Sequence, residues 1–408
     1  MRFLEIFNQY EQAGGEAAAV EQITGLLSAQ PEFQVARATA RSSDWLGPSA
    51  PPRWKQALWS FFNTRFLADV RRAHGSAPAD AWIVHNVFPV ASAGVYLEAR
   101  RLGVPIIQFV HNWRPFSVNG SNFIEGRVPP GKLRSHFWQE LAVANWRGSR
   151  IQTLWLGLVL LWLRNSGWLR GVHAWVAISE FARDRLIEAG LPHDRVFALR
   201  HFWKPRPLPT QVEDRGHYLF LGRLIPEKGI AVLLDAWTEV RRALGEKTPE
   251  LWICGAGREN ARVVRATAVN PSIHAPGVVG GEEKRRLLES CRAVIVPSLW
   301  WEPLGLVVYE AYEHRKLVLA AASGGLTETV VDGETGRLHP PGDAGTLARQ
   351  VIALESEPDV CGRMGLAGRR WLEHNADPQS WLASFRSILT CAIGAGTRPR
   401  TTPGRASP

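Results

Sequence analysis

The sequence predicts an α/β protein built as two doubly wound halves, and three observations predict it. Strand-length apolar runs alternate with helical stretches through residues 1–203. A second alternating set occupies 217–377. Between them KPRPLPTQVEDRG, at 204–216, is proline-rich and polar and reads as an interdomain linker. Alternation of this kind predicts mostly parallel sheets covered on both sides, and 408 residues suffice for two domains with independent cores.

In the first half RFLEIF reads as a strand that runs directly into a glycine turn at Gly14 and Gly15. Ala17 to Leu27 follows as a helix, with Val20, Ile23 and Leu27 on one face. FQVARA, AWIVHN and PIIQFVHN are the next strands, and HYLFLG, ELWICG, SIHAPG, AVIVPS and LVLAAA form the second set. The tail at 394–408 lacks large apolar residues and is expected to be disordered.

The chain begins without a basic leader, long apolar stretch and cleavage site in succession, so export is not expected and a cytoplasmic location is. The longest apolar run, Thr153 to Leu163, is too short to span a bilayer. It could lie at a membrane surface. Residues 127–170 carry Arg127, Lys132, Arg134, Arg147, Arg150, Arg164 and Arg170 against one acid, Glu140, with Trp138, Trp146, Trp155, Trp162 and Trp168 interleaved. Basic charge attracts anionic headgroups and tryptophan partitions into the interface, so peripheral contact with an anionic membrane stands beside a buried helix with a solvated basic rim. The net charge of +10 could also suit nucleic acid, but no nucleic-acid module is present and none is expected as a partner. The four cysteines are scattered and form no CxxC, and no Asp-x-Asp or H-x-x-x-H occurs, so no metal site is expected.

The candidate chemistry concentrates in two places. After AVIVPS, Glu302 sits on a loop and Glu310 in the helical segment GLVVYEAYEHRK, so both can project into a crevice at strand ends, where open α/β sheets bind ligands. Ionised carboxylates accept two hydrogen bonds each, which suits a ribose diol and the hydroxyls of a hexose. The pair alone reads equally well as an acidic helix N-terminus. The second place is HYLFLGRLIPEKGIAVLLDAW, a buried strand, a glycine turn carrying Arg223 and Lys228, and an amphipathic helix. Strand, cationic loop and helix N-terminus make an anion site, with Gly222 permitting close backbone approach. Alone it reads as a solvated loop with a Glu227–Lys228 pair; two such sites in one doubly wound half favour a ligand.

These residues resemble glycosyltransferase family 4, the retaining, nucleotide-sugar-dependent transferases of the GT-B fold. The resemblance rests on GRLIPEKG, ICGAG at Ile253 to Gly257, PGVV at Pro276 to Val279, VPS at Val296 to Ser298, the Glu302 and Glu310 pair, and SGGLTETVVDGETG from Ser323 to Gly336. In the first half it rests on the Gly14–Gly15 turn, VHNWR at Val110 to Arg114, RGSR at Arg147 to Arg150 and AISEFARDRL at Ala177 to Leu186. It implies two Rossmann-like domains facing a central cleft, an acceptor domain at 1–203 and a donor domain at 217–377, with a helix at 378–393 (near Pro378 to Ala392) crossing back onto the first.

The resemblance further implies that Arg223 and Lys228 bind the donor diphosphate, with Gly14, Gly15, Gly222, Gly324 and Gly325 around it. Glu310 would hold the ribose with Gly305 and Leu306 beside it, Val278 and Val279 would face the base, Glu302 would contact the transferred sugar, and His111 would sit near the reacting centre. No cofactor beyond the nucleotide-sugar donor is implied, and the acceptor would be a glycan or lipid-linked. Many relatives read H-N-Y-R-x-x-C where this chain has HNWRPFS, with Ser117 in place of the cysteine, so the acceptor loop can differ. A sugar-nucleotide 2-epimerase, a phosphorylase or sugar-phosphate synthase, and a non-catalytic donor-binding protein remain alternatives.

Overall fold

A computed structural model of the chain describes residues 1–10, 14–114, 116–133, 136–207 and 215–396. Most of the expected linker, 208–214, and of the expected disordered tail, 397–408, lies outside the described residues, as does Arg134.

Among the described residues twelve strands form two parallel sheets. The first contains β1 (Arg2–Gln9), β2 (Gln34–Arg41), β3 (Ala81–Asn86), β4 (Ile106–Val110), β5 (Val172–Ala177) and β6 (Val196–Ala198) in the order β2-β1-β3-β4-β5-β6. The second contains β7 (His217–Leu221), β8 (Leu251–Cys254), β9 (Ile273–Gly277), β10 (Cys291–Val296), β11 (Leu317–Ala321) and β12 (Gly336–His339) in the order β12-β11-β10-β7-β8-β9. The expected strands all form; β5, β6 and β12 are additional, and the expected helix at 17–27 spans Gly15–Ser28.

Side chains alternate across each sheet, so each face needs its own cover. In the first sheet Leu4, Trp82 and Ile106 pack into one cluster while their neighbours Phe3, Ile83 and Ile107 pack into another. The helix Pro378–Gly396 supplies Trp381, Leu382, Phe385 and Leu389 to that second cluster, so the last helix of the described chain covers the first sheet. The second sheet is sandwiched the same way, with Leu317 and Leu319 on one side and Val318 and Ala320 on the other. Both sheets therefore leave their strand ends, rather than their faces, for a ligand.

Candidate active site

In the second sheet the chain steps from β7 outward to β8 and β9, then returns to place β10 on the opposite side of β7. The loops after β7 and β10 therefore diverge at a topological switch point, the place where such sheets bind ligands. This brings Lys228 and Glu302 together across 74 residues of sequence: Lys228 Nζ donates to both carboxylate oxygens of Glu302, at 2.9 and 2.7 Å. Ser298 Oγ and Trp300 Nε1 donate to the same carboxylate at 3.0 and 2.7 Å. Burial by itself raises the Glu302 pKa, but the Lys228 charge and these hydrogen bonds hold it below the ordinary carboxylate value.

Glycines make this close packing possible. Gly229, at φ +73°, follows Lys228, and a Cβ there would lie 1.9 Å from the Pro297 carbonyl oxygen. Gly324, at φ +61°, would place a Cβ 2.4 Å from the Glu302 carbonyl oxygen. An added Cβ on Gly222 would meet the Phe220 ring at an ordinary 3.5 Å. One glycine expectation is corrected. The Gly325 N–H donates to the Glu302 carbonyl at 2.7 Å, so it holds the loop together instead of pointing at a ligand.

Arg223 lies exposed on the same loop and pairs with no carboxylate among the described residues. Glu310 stands in the helix Leu306–Glu313, whose N-cap is Gly305, and accepts from Lys284 Nζ at 2.7 Å through Oε1. Val278 is exposed and Val279 half-buried, just beyond the end of β9.

The first sheet has its own switch point between β1 and β3. Gly14 is the extended N-cap of the helix Gly15–Ser28, and a Cβ on Gly15 would sit 3.1 Å from Leu306 Cδ1. The glycine turn of one half thus faces the helix Leu306–Glu313 of the other. Beside it Glu16 Oε2 accepts from Asn112 Nδ2 at 3.1 Å while Oε1 is buried without a partner. Burial pushes this carboxyl up to about 7 despite the charges of Arg114 and Arg223.

His111 follows β4 and is buried. Its Nε2 lies 2.9 Å from His85 Nδ1, His85 Nε2 lies 3.2 Å from Glu5 Oε1, and the His111 ring stacks on His201 at 5.2 Å. Thr24 and Arg37 also bond Glu5. With the Glu5 carboxylate accepting a hydrogen bond from His85 Nε2–H, His85 Nδ1 accepts from His111 Nε2–H, and His111 Nδ1 is left with a bare lone pair. That atom has no partner. Burial, then the neighbouring His85 and His201, hold His111 neutral, its pKa well below the ordinary value.

The two halves also touch directly. Trp113 Nε1 donates to the Trp301 carbonyl at 2.9 Å, next to Glu302. Glu328 accepts the backbone N–H groups of Glu180 and Phe181, the N-terminus of the helix Glu180–Glu188, and pairs with Arg200 at 3.0 Å.

Comparison with known proteins agrees with this arrangement of two cleft-facing sheets. Residues 3–200 match the family described as glycosyl transferase 4-like domain, and residues 215–357 match glycosyl transferases group 1. The chain belongs to the group 1, GT4-type glycosyltransferases. Within that family it is 31% identical to a glycogen synthase of Mycobacterium tuberculosis over 205 residues, which are 48% of this chain and 46% of that enzyme. The chain thus spans about half the length of that relative. It is 26% identical to a D-inositol 3-phosphate glycosyltransferase of Streptomyces coelicolor over 78% of this chain and 71% of that protein. In fold it is similar to the crystal structure of Anabaena HepE in complex with UDP, with a TM-score of 0.66 at 16% identity, covering 96% of this chain and all of that one.

In this group 1 glycosyltransferase chain the expected Lys228 and Glu302 meet, Gly15 lies against Leu306, Glu310 meets Lys284 and His111 meets His85, while sequence reasoning did not name Glu5, His85, Glu16, Arg114 or Lys284 as neighbours of these residues. One signal was present for His85. β3 ends in Val84-His85-Asn86 and β4 runs into Val110-His111-Asn112, a repeated triplet on adjacent strands.

Proposed function

We propose that the chain is a hexosyltransferase that moves a sugar, with retention of anomeric configuration, from a nucleoside diphosphate sugar to a glycan or lipid-linked acceptor in cell-surface polysaccharide or glycolipid synthesis. The observation that carries this reading is the pairing of Lys228 with Glu302 beside the unpaired Arg223, facing Gly15 and Glu16 of the other half. HepE has been crystallised with UDP and with UDP-glucose, which supports a donor of the same chemical class. The relatives are synthases and transferases, which does not favour the 2-epimerase alternative.

In the reaction, departure of the nucleoside diphosphate builds charge on its terminal phosphate, and Arg223 and Lys228 stabilise it there. Cationic side chains in this role fit catalysis without a divalent ion. The Glu302 oxygens are occupied by Lys228, Ser298 and Trp300, so this carboxylate orients the sugar instead of attacking it. Attack then comes from the same face, with the departing phosphate accepting the proton of the acceptor hydroxyl. Closure of the two halves excludes water that would hydrolyse the donor.

Peripheral contact with the cytoplasmic face of an anionic membrane belongs to the same reading. On the helix Arg150–Asn165, Ile151, Leu154, Trp155, Leu158, Leu161 and Trp162 form one exposed stripe, while Leu156, Leu160 and Leu163 face inward. Trp155 Nε1 donates to the Ala57 carbonyl at 2.9 Å and joins this stripe to the helix Arg53–Phe61, with its exposed Trp54 and Leu58. Arg53, Arg147 and Arg150 border the stripe, and Glu140 is buried beneath Ser117 and Val118. No helix among the described residues is long and apolar enough to cross a membrane.

The test is calorimetry of the protein against UDP-, GDP-, ADP- and dTDP-sugars with EDTA present. Micromolar binding of one donor is expected, and turnover should give a product with the donor's anomeric configuration. Binding of none would sink the transferase reading; an inverted product would sink retention.

A further inference from the structure

Arg114 is 8% exposed, and its Nε and Nη1 have no hydrogen-bond partner. Among the described residues it forms no ion pair. Aromatic rings surround it instead: its guanidinium carbon lies 4.6 Å from the Trp146 ring, 5.9 Å from Tyr10 and 6.0 Å from Phe88. Taking a guanidinium out of water is costly, and a desolvated cation–π contact returns only part of that cost and leaves the N–H groups unbonded. The nearby carboxyls do not supply the deficit. Glu140 is occupied by Ser117, Val118 and Asn145, and Glu16 bonds Asn112.

Glu16 and Glu140 feel the charge of Arg114 but neither bonds it, and buried guanidinium N–H groups left without an acceptor imply an anion that arrives from outside. Arg114 lines a cavity of the first half together with Asn86, Phe88, His111 and Asn112, and its charge and that of Arg223, the cation on the loop after β7 without an ion pair among the described residues, both act on Glu16 and Tyr10. Arg114 opens the loop from Asn112 to Arg150 on the acceptor side, three residues after β4 leads into His111. We propose that Arg114 is the acceptor-side anion site of this enzyme: the sugar acceptor carries a phosphate ester or a carboxylate, and that group bonds the open N–H groups of Arg114. This rests on the transferase reading above and narrows its acceptor to an anionic one. A lipid phosphate presented at the basic aromatic face has the required charge; so does a uronic acid residue of a glycan.

The two sources separate by probe. Binding of sn-glycerol 3-phosphate and of glucuronate, with glycerol and glucose as neutral controls, is measured by calorimetry on the full chain saturated with whichever nucleoside diphosphate it binds. Where none binds, the titration is made on Arg223→Gln protein, so that donor-side cations do not contribute. One charged probe is expected to bind and its neutral counterpart not to. Arg114→Met should weaken that probe at least tenfold, Arg114→Lys should keep part of the affinity, and nucleoside diphosphate binding should persist in both.

Stability distinguishes a ligand site from a structural arginine. Because the buried N–H groups are unbonded without a ligand, Arg114→Met should leave the melting temperature unchanged or raise it by about a few degrees. Binding of neither charged probe to the wild type, equal binding by Arg114→Met, or a lowered melting temperature in Arg114→Met overturns the proposal. Nucleoside diphosphate binding that persists in those cases leaves the donor reading standing.

Discussion

Replacing Lys228 with Met isolates the charge at the centre of the donor side. Glu302 is 7% exposed, so without Lys228 its carboxylate keeps Ser298 and Trp300 as donors but loses its counter-charge. Breaking a buried pair by removing one partner costs about 3–5 kcal/mol. At about 2–4 °C per kcal/mol for a domain of this size, the melting temperature should fall by roughly 6–20 °C at pH 7. Glu302→Gln should cost less, since the side chain of Lys228 is 19% exposed and lies 5.2 Å from the Trp300 ring. The double variant should fall by less than the sum of the two, with a coupling of about 1–3 kcal/mol.

The pH dependence carries the same signature. In the wild type the Glu302 carboxyl is held below its unfolded value, so its stabilisation is present above the unfolded pKa and lost as pH falls through the folded one. In Lys228→Met burial is opposed only by the Ser298 and Trp300 hydrogen bonds and the folded pKa rises, so the carboxyl protonates sooner and the gap between the two proteins narrows as pH falls toward about 4. Turnover of Lys228→Met should drop by about 10²–10³, as for loss of one oxyanion donor. Scanning calorimetry at pH 7 and pH 4.5 with a kinetic assay measures all of this. A melting temperature within 2 °C of wild type, or strictly additive losses, would refute the buried-pair argument.

Glu310→Ala should weaken donor binding by roughly tenfold or more, the loss of one charge-assisted hydrogen bond to a ribose hydroxyl, while barely moving the melting temperature; unchanged donor affinity removes Glu310 from the ribose role. Glu5→Gln should lower kcat with little change in KM and shift the ¹⁵N signals of His111, because Glu5 orients it through His85; unmoved signals would show that the chain of rings is structural packing alone. Ile151→Glu with Leu158→Glu should cut binding to phosphatidylglycerol vesicles at least tenfold at low salt and leave turnover of a soluble acceptor intact. Equal sedimentation of variant and wild type with vesicles would sink the membrane face.

Strands with long apolar runs were legible because their periodicity is local. β5 was not, because VHAWVA is short and interrupted by His173, and its place in the sheet is fixed by pairing with β4. β6 and β12 are short, and their pairing is fixed by neighbours distant in sequence. The site shows the same division. The residue types at 223, 228, 302 and 310 could be read as ligand-binding, but which cation meets which carboxylate depends on the switch point. Lys228 and Glu302 meet each other, and Glu310 meets Lys284 from the helix Gly281–Ser290, pairings that the sequence did not indicate. Glu16 and Arg114 carried no signal because their importance lies in burial without partners, a property of the folded state.

That unequal pairing has a consequence for the order of events. Lys228 and Lys284 are neutralised internally, whereas Arg223 and Arg114 are not, and Glu16 lies within reach of both. A donor diphosphate at Arg223 cancels one of the two charges that pull the Glu16 pKa down and brings negative charge nearby. Glu16, pushed up to about 7, then titrates higher, so its protonated share near neutral pH rises as the donor binds. A protonated carboxyl donates a hydrogen bond where a carboxylate would repel phosphate, so donor binding prepares the cleft for a second anion at Arg114. By linkage, donor binding at pH 7.5 should take up a fraction of a proton, seen as a calorimetric enthalpy that changes with the ionisation enthalpy of the buffer. The uptake should disappear in Glu16→Gln; a buffer-independent enthalpy in the wild type would mean that Glu16 does not respond to the donor.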